Sequence, residues 1–246
     1  MDDDWLTQLA TLERSIVAYD RDPDDAAEGI ATLTGTRPVV ISAPHATRHW
    51  RDAAWKREEE YTAAMAHWLH RQTGVHAVYA THRLRPDPHA DHDTNQYKQV
   101  LARLVRQHGI QLVVDLHGAR GDRDFALALG TINGTSCAAY EVAIVGALVA
   151  AGFQLDGSPP SLDRLALNPP RYRGGVQTPT ITRFASRTLG VAAVQIELNA
   201  WARIVTRLPE AYEAQKGIAP HFRGDPVRIR RVLEGLLRVV AAAEQP

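Results

Sequence analysis

Apolar and polar positions alternate along the chain in blocks that predict a regular succession of strands and helices. From position 38 the run Pro-Val-Val-Ile-Ser-Ala is apolar and β-branched, which predicts a short buried strand ending at Pro44-His45. Over Asp52 to Arg71, apolar residues at Tyr61, Met65, Trp68 and Leu69 follow a helical spacing that closes at Thr73-Gly74. A strand is expected from Val75 to Thr81, then a Pro-interrupted loop from Arg83 to Asp93. The spacing Tyr97, Val100, Leu101, Leu104, Val105 predicts a second amphipathic helix stopped by His108-Gly109.

The clearest buried strand follows, Ile110 to Leu116, leading into His117-Gly118. A further strand is expected over Phe125 to Leu129, a helix over Tyr140 to Ala151, a helix over Thr180 to Leu189, a strand over Val191 to Leu198 and a terminal helix over Val227 to Ala243. Between them, Pro159 to Pro179 is a Gly/Pro/Arg segment longer than a compact domain usually leaves unstructured, which marks it as functional. Strand and helix in alternation predict an α/β fold: one domain around a mixed, mostly parallel sheet with helices on both faces. The divisions expected are an N-terminal helix and acidic loop over 1–37, a catalytic core over 38–205 and a C-terminal helix over 226–246.

Composition narrows the function. The chain has 246 residues, 45% hydrophobic and 23% charged, with 28 basic side chains balanced by 28 acidic ones, which argues against a nucleic-acid partner. No stretch reaches the roughly 18 unbroken apolar residues of a membrane span. The start Met-Asp-Asp-Asp-Trp lacks the pattern of a secretory signal, and the single cysteine, Cys137, has no partner for an intrachain disulfide, so a cytoplasmic setting is expected. Cys137 reads as a small buried hydrophobe. Eleven histidines against one cysteine mean that any metal site would use nitrogen and oxygen ligands.

In open α/β sheets, ligands bind beyond the carboxyl ends of strands. His45, His117 and Glu197 all stand at such ends, so neighbouring strands would bring together two imidazoles and a carboxylate. Two histidines and a glutamate are a common ligand set for catalytic zinc, with the fourth position left to water. The third ligand is sought in Glu58-Glu59-Glu60, where spacing does not separate the three. Glu59 is the choice, with Glu58 and Glu60 read as solvated residues at a helix N-terminus. Asp115 precedes His117 by two residues, on the same face of its strand, and is placed to fix an imidazole tautomer. Glu197 is then the candidate general base for hydrolysis of an amide. Arg171, Arg173 and Arg183, with Arg85 and Asp87 from the Arg83 to Asp93 loop, form the candidate substrate-binding set. The cluster His89, Asp91, His92, Asp93 has metal-like residue types, but Asp91 to Asp93 just before a helix are read as capping and dipole compensation rather than a second metal site. Trp50, Trp55 and Trp68 are assigned to either the core or the cleft.

The stretch Ser42-Ala-Pro-His45-Ala, the Asp115-Leu-His117-Gly118 turn and the strand Gln195-Ile-Glu197-Leu-Asn199 resemble the N-formylglutamate amidohydrolase family, relatives of the zinc carboxypeptidase-like deacylases. The resemblance covers roughly Pro38 to Arg203. It implies a zinc-carboxypeptidase or phosphorylase/hydrolase-like fold and one Zn2+ per chain, held by His45, Glu59 and His117, with Glu197 catalytic and Asn199 in support. It also implies a small N-acyl amino acid as substrate. One departure is Asp87-Pro88-His89, where the family pattern has an asparagine in place of His89. Two alternatives remain: the same chemistry on a peptide or polyglutamyl bond, and a metal-binding accessory protein without turnover.

Overall fold

The computed structural model describes residues 4–24, 29–91, 95–156, 163–208 and 222–243. Asp2, Asp3, Asp25, His92, Asp93 and Pro159 lie outside these residues.

Among the described residues, eight strands form one sheet. β2 (Val39–Ala43), β6 (Leu112–Ala119) and β10 (Ala192–Asn199) run parallel at its centre. On one side β5 (His76–Ala80) continues parallel to β2, and β1 (Ile30–Leu33) closes the edge antiparallel to β5. On the other side β7 (Leu127–Gly130) is antiparallel to β10, followed by β9 (Arg164–Leu167) and β8 (Gln154–Leu155), each parallel to its neighbour. The order is β1-β5-β2-β6-β10-β7-β9-β8. The expected mixed, mostly parallel α/β sheet is therefore present. Its central strands are almost wholly buried because helices cover both faces.

One face is packed by α2 (Thr62–Thr73), with α1 (Trp5–Ile16) and α6 (Pro226–Ala242) against it and α4 (Glu141–Ala150) against α6. The opposite face carries α3 (Gln96–His108) and α5 (Ile181–Arg187). Local chemistry sets the helix ends. Asn95, Thr180 and Asp225 each accept a first-turn backbone N–H through the side chain, and Gly74 and Gly109 take the left-handed conformation that stops α2 and α3. Trp68 and Cys137 pack in the main core, and burial pushes the Cys137 thiol up to about 12.

Three expectations are corrected. The segment read as a helix from Asp52 begins instead with a hairpin, β3 (His49–Arg51) and β4 (Ala54–Lys56), and α2 starts only at Thr62. Asp52 and Ala53 both take positive φ in the two-residue turn, and Trp50 pairs edge-on with Trp55 across the strands at 5.3 Å. Second, the Pro159 to Pro179 segment is not all loop, because β9 lies within it and pairs with β7. Third, Glu58 and Glu60 are not solvated but 2% and 1% exposed. Glu58 accepts a bond from Arg48 Nε at 3.3 Å, and Glu60 one from Arg207 Nη2 at 3.2 Å. Burying a carboxylate without such a partner is costly, so these pairs are what allow the acidic run to sit inside.

Candidate active site

The site is built on the carboxyl ends of the three central strands. In the parallel pairing of β6 with β10, Asp115 stands opposite Gln195 and His117 opposite Glu197, so all four side chains share one face. Ser42 on β2 pairs with Asp115 and donates a 3.1 Å bond to its Oδ1, and Thr182 of α5 donates to Oδ2 at 3.2 Å. Asp115 is fully buried and accepts bonds on both oxygens before it reaches His117 Nε2 at 3.1 Å.

His45 follows β2 by two residues. The segment after β4 returns along it, with the Glu59 N–H donating to the His45 carbonyl at 2.8 Å. The return brings the Glu59 carboxylate between the two imidazoles. Its Oε1 is 3.3 Å from His45 Nδ1, and its Oε2 is 3.0 Å from His117 Nδ1 and accepts the Gly118 N–H at 2.9 Å. Gly118 has to be glycine for this approach: a Cβ there would lie 2.9 Å from Glu59 Cβ and 2.7 Å from the guanidinium carbon of Arg203.

Each imidazole is backed on its other nitrogen. His117 Nε2 has Asp115, and His45 Nε2 lies 2.9 Å from Asp87 Oδ1. Asp87 sits in a loop tied to the start of α3. The Asn95 side chain donates to the carbonyls of Asp87, Pro88 and Ala90 while capping the helix, and Lys98 Nζ donates to Ala90 O at 2.8 Å. The same loop sets His89 against the pair, with ring centroids 4.3 Å from His45 and 4.9 Å from His117. Asp91 pairs with Lys98, and the cap is Asn95. Thus Asp91 is not the cap expected of it, and His89 stands beside the imidazoles.

The electrostatics follow from burial and proximity. Burial alone would raise Glu59, but the imidazoles of His117 and His45 outweigh it and hold its carboxyl well below the usual range. Burial likewise disfavours charge on His117 and His45, yet Asp115 and Glu59 raise the former and Asp87 and Glu59 the latter. Glu197 has no such compensation: burial pushes it up to about 7, the nearby His117 notwithstanding. Gln195 Nε2 donates to its Oε1 at 2.6 Å. Burial, with the His45 and His117 charges, depresses His89 and leaves its ring neutral.

These donors suit a divalent cation with nitrogen and oxygen ligands. Two donors on one ion with bonds of about 2.0–2.1 Å in a tetrahedron stand about 3.3 Å apart, close to the separation of each Nδ1 from its own Glu59 oxygen, 3.3 Å from Oε1 for His45 and 3.0 Å from Oε2 for His117. Carboxylates behind both imidazoles are the usual support for metal-ligating histidines. Ring nitrogens of His45, His89 and His117 also lie within 4.8 Å of one another, and His89 Nε2 is buried without a hydrogen-bond partner.

The group opens into a cavity of about 300 Å³, whose walls include Glu59, Glu197, Gln195, Tyr172 and the arginines Arg51, Arg120, Arg123 and Arg171. Of the residues assigned to substrate, Arg171 lines this cavity, Asp87 lies beneath His45, and Arg85, Arg173 and Arg183 are not among its walls. Arg85 instead packs over Trp50. Asn199 bonds to the carbonyls of Arg123 and Phe125 and so fixes the loop bearing Arg123 rather than an imidazole. Gln195, Arg120 and Arg123 went unassigned in the sequence, although Gln195 precedes Glu197 by one strand period and the two arginines directly follow the β6 end.

Among solved structures, an N-formylglutamate amidohydrolase from Ralstonia eutropha JMP134 matches with a TM-score of 0.56 and 13% identity, over 89% of this chain and 98% of the other. A bacteriophage poly-γ-glutamate hydrolase matches with a TM-score of 0.53 and 14% identity, over 91% of this chain and 92% of the other. The chain shares the mixed α/β fold of these two structures. No family model and no curated protein matches the sequence. At such identities the likeness carries the fold alone.

Proposed function

We propose that the protein is a metal-dependent amidohydrolase that cleaves a small N-acyl amino acid. In this reading His45, Glu59 and His117 hold one zinc ion and Glu197 is the general base. The observation that carries it is the placement of the Glu59 carboxylate between two Nδ1 atoms whose rings are each backed by a buried aspartate. A bound zinc ion polarises a carbonyl and acidifies water at neutral pH.

The protein supplies the rest. Asp87 and Asp115 hold the imidazoles with each Nδ1 facing Glu59, where the three residues would hold the ion. Glu197, kept near neutrality by burial, accepts a proton from the attacking water and delivers it to the departing amine nitrogen. Gln195 holds one oxygen of Glu197, leaving the other for the proton. Arg120, Arg123 and Arg171 on the cavity wall suit a carboxylate of the amino-acid half by charge-assisted bonds.

The test is turnover of a panel containing N-formylglutamate, N-acetylglutamate, neutral N-acyl amino acids and γ-glutamyl oligomers. The proposal expects hydrolysis of the acyl amino acids, abolished by chelation and restored by zinc. Preference for the oligomers would transfer the same chemistry to a polyglutamyl bond. No turnover of any member by the zinc-loaded protein would favour a binding role without catalysis.

A further inference from the structure

Resting on that reading of the metal site, we propose that His89 is a fourth ligand, one that leaves the ion to admit substrate. Its ring stands against those of His45 and His117 at 4.3 and 4.9 Å, and one of its nitrogens falls within 4.8 Å of a nitrogen on each. Its Nε2 is sealed from solvent and has no hydrogen-bond partner, an arrangement that costs stability unless something accepts its lone pair or its proton. A cation held by His45, Glu59 and His117 would do so. With His89 added, the donors become three imidazoles and a carboxylate, which complete a four-coordinate shell. Closed shells are characteristic of structural zinc, whereas catalysis needs a vacant position.

The fold reconciles the two. His89 stands on the boundary between the site cavity and a second cavity of about 640 Å³ walled by Trp50, Pro86, Ala90 and Pro179. Its backbone is fixed, because its N–H donates to Asp87 Oδ1 at 2.8 Å and its carbonyl accepts from Lys98 Nζ at 3.3 Å. Release of the ring therefore takes a side-chain rotation into the neighbouring space and no loop movement. That rotation would leave room for a substrate carbonyl, and the displaced ring would become part of the cavity wall.

The test is X-ray absorption fine structure of the zinc-loaded protein, which counts imidazole ligands, run on the parent, His89→Ala and His89→Asn. Three imidazoles in the parent, two in both variants and a zinc affinity lowered by at least about tenfold in the variants would support the proposal. A carboxylate inhibitor added to the parent should lower its count from three to two. Two imidazoles in the inhibitor-free parent, with zinc affinity unchanged in the variants, would overturn the fourth ligand and leave the three-ligand site standing. A parent that binds no zinc would overturn both readings.

Discussion

Glu197 stands opposite His117 in the parallel pairing of β10 and β6, so the candidate base and a candidate ligand share one sheet face on adjacent strands. Strand register alone holds the two together, and the base does not depend on a mobile loop.

Glu197→Gln should therefore remove the proton acceptor with little disturbance to the rest of the site. Hydrolysis is expected to fall by about 10²–10⁴-fold with zinc content unchanged. In the parent, kcat/KM should rise with pH, because the base works ionised and burial places it at about 7 in the metal-free protein. A bound cation would draw this limb lower, so it should lie at or below about 7 and vanish from the residual activity of the variant. A pH–rate profile with the same limb in Glu197→Gln would assign the titration to another group.

Asp87 supports His45 through its Nε2. Asp87→Ala should weaken zinc binding by about 10- to 100-fold, as loss of such a partner usually does. Competition with a chromophoric chelator measures it.

Arg171 is an exposed cavity-wall residue, so its contact with substrate is partly solvated. Arg171→Ala should raise KM for an acyl amino acid by about tenfold and change kcat little, the signature of binding lost equally from ground and transition states. A fall confined to kcat would place the side chain at the reacting atoms instead.

Away from the site, Glu13 is fully buried, and burial pushes it up to about 7 although Tyr19 and Tyr61 both donate to it. A carboxyl raised in the folded state keeps its proton while the unfolded chain ionises. Its contribution is thus complete below the unfolded value of 4.5 and is lost as pH rises through about 7. The loss amounts to about 3 kcal/mol. Urea unfolding at pH 5 and pH 8 should show it, and Glu13→Gln, which retains the acceptor oxygen, should remove most of the difference. An equal difference in the variant would refute the assignment.

Much of the site was legible because strands advertise their ends. Val39 to Ile41, Leu112 to Val114 and Ala192 to Val194 are apolar runs that lead into chemistry-bearing residues, and a parallel sheet puts such stops at one edge. The period of two also placed Asp115 with His117. Glu58 and Glu60 were not legible, because a run of glutamates reads as solvated unless its partners are known. Arg207, which neutralises Glu60, comes 147 residues later. Strands such as β1, β8 and β9, at four, two and four residues, exist through pairing with neighbours rather than through local pattern. The approach of His89 to His45 depends on bonds from Asn95 and Lys98 to a loop whose own residues do not predict its course.

The central claim is that His45 and His117 hold one metal ion with Glu59 between them. It is tested most directly by elemental analysis of protein supplied with zinc, comparing the parent with His45→Ala/His117→Ala while circular dichroism checks that both are folded. About one zinc per chain in the parent and none in the folded variant is the expected result. Equal zinc in both, or none in either, would contradict it.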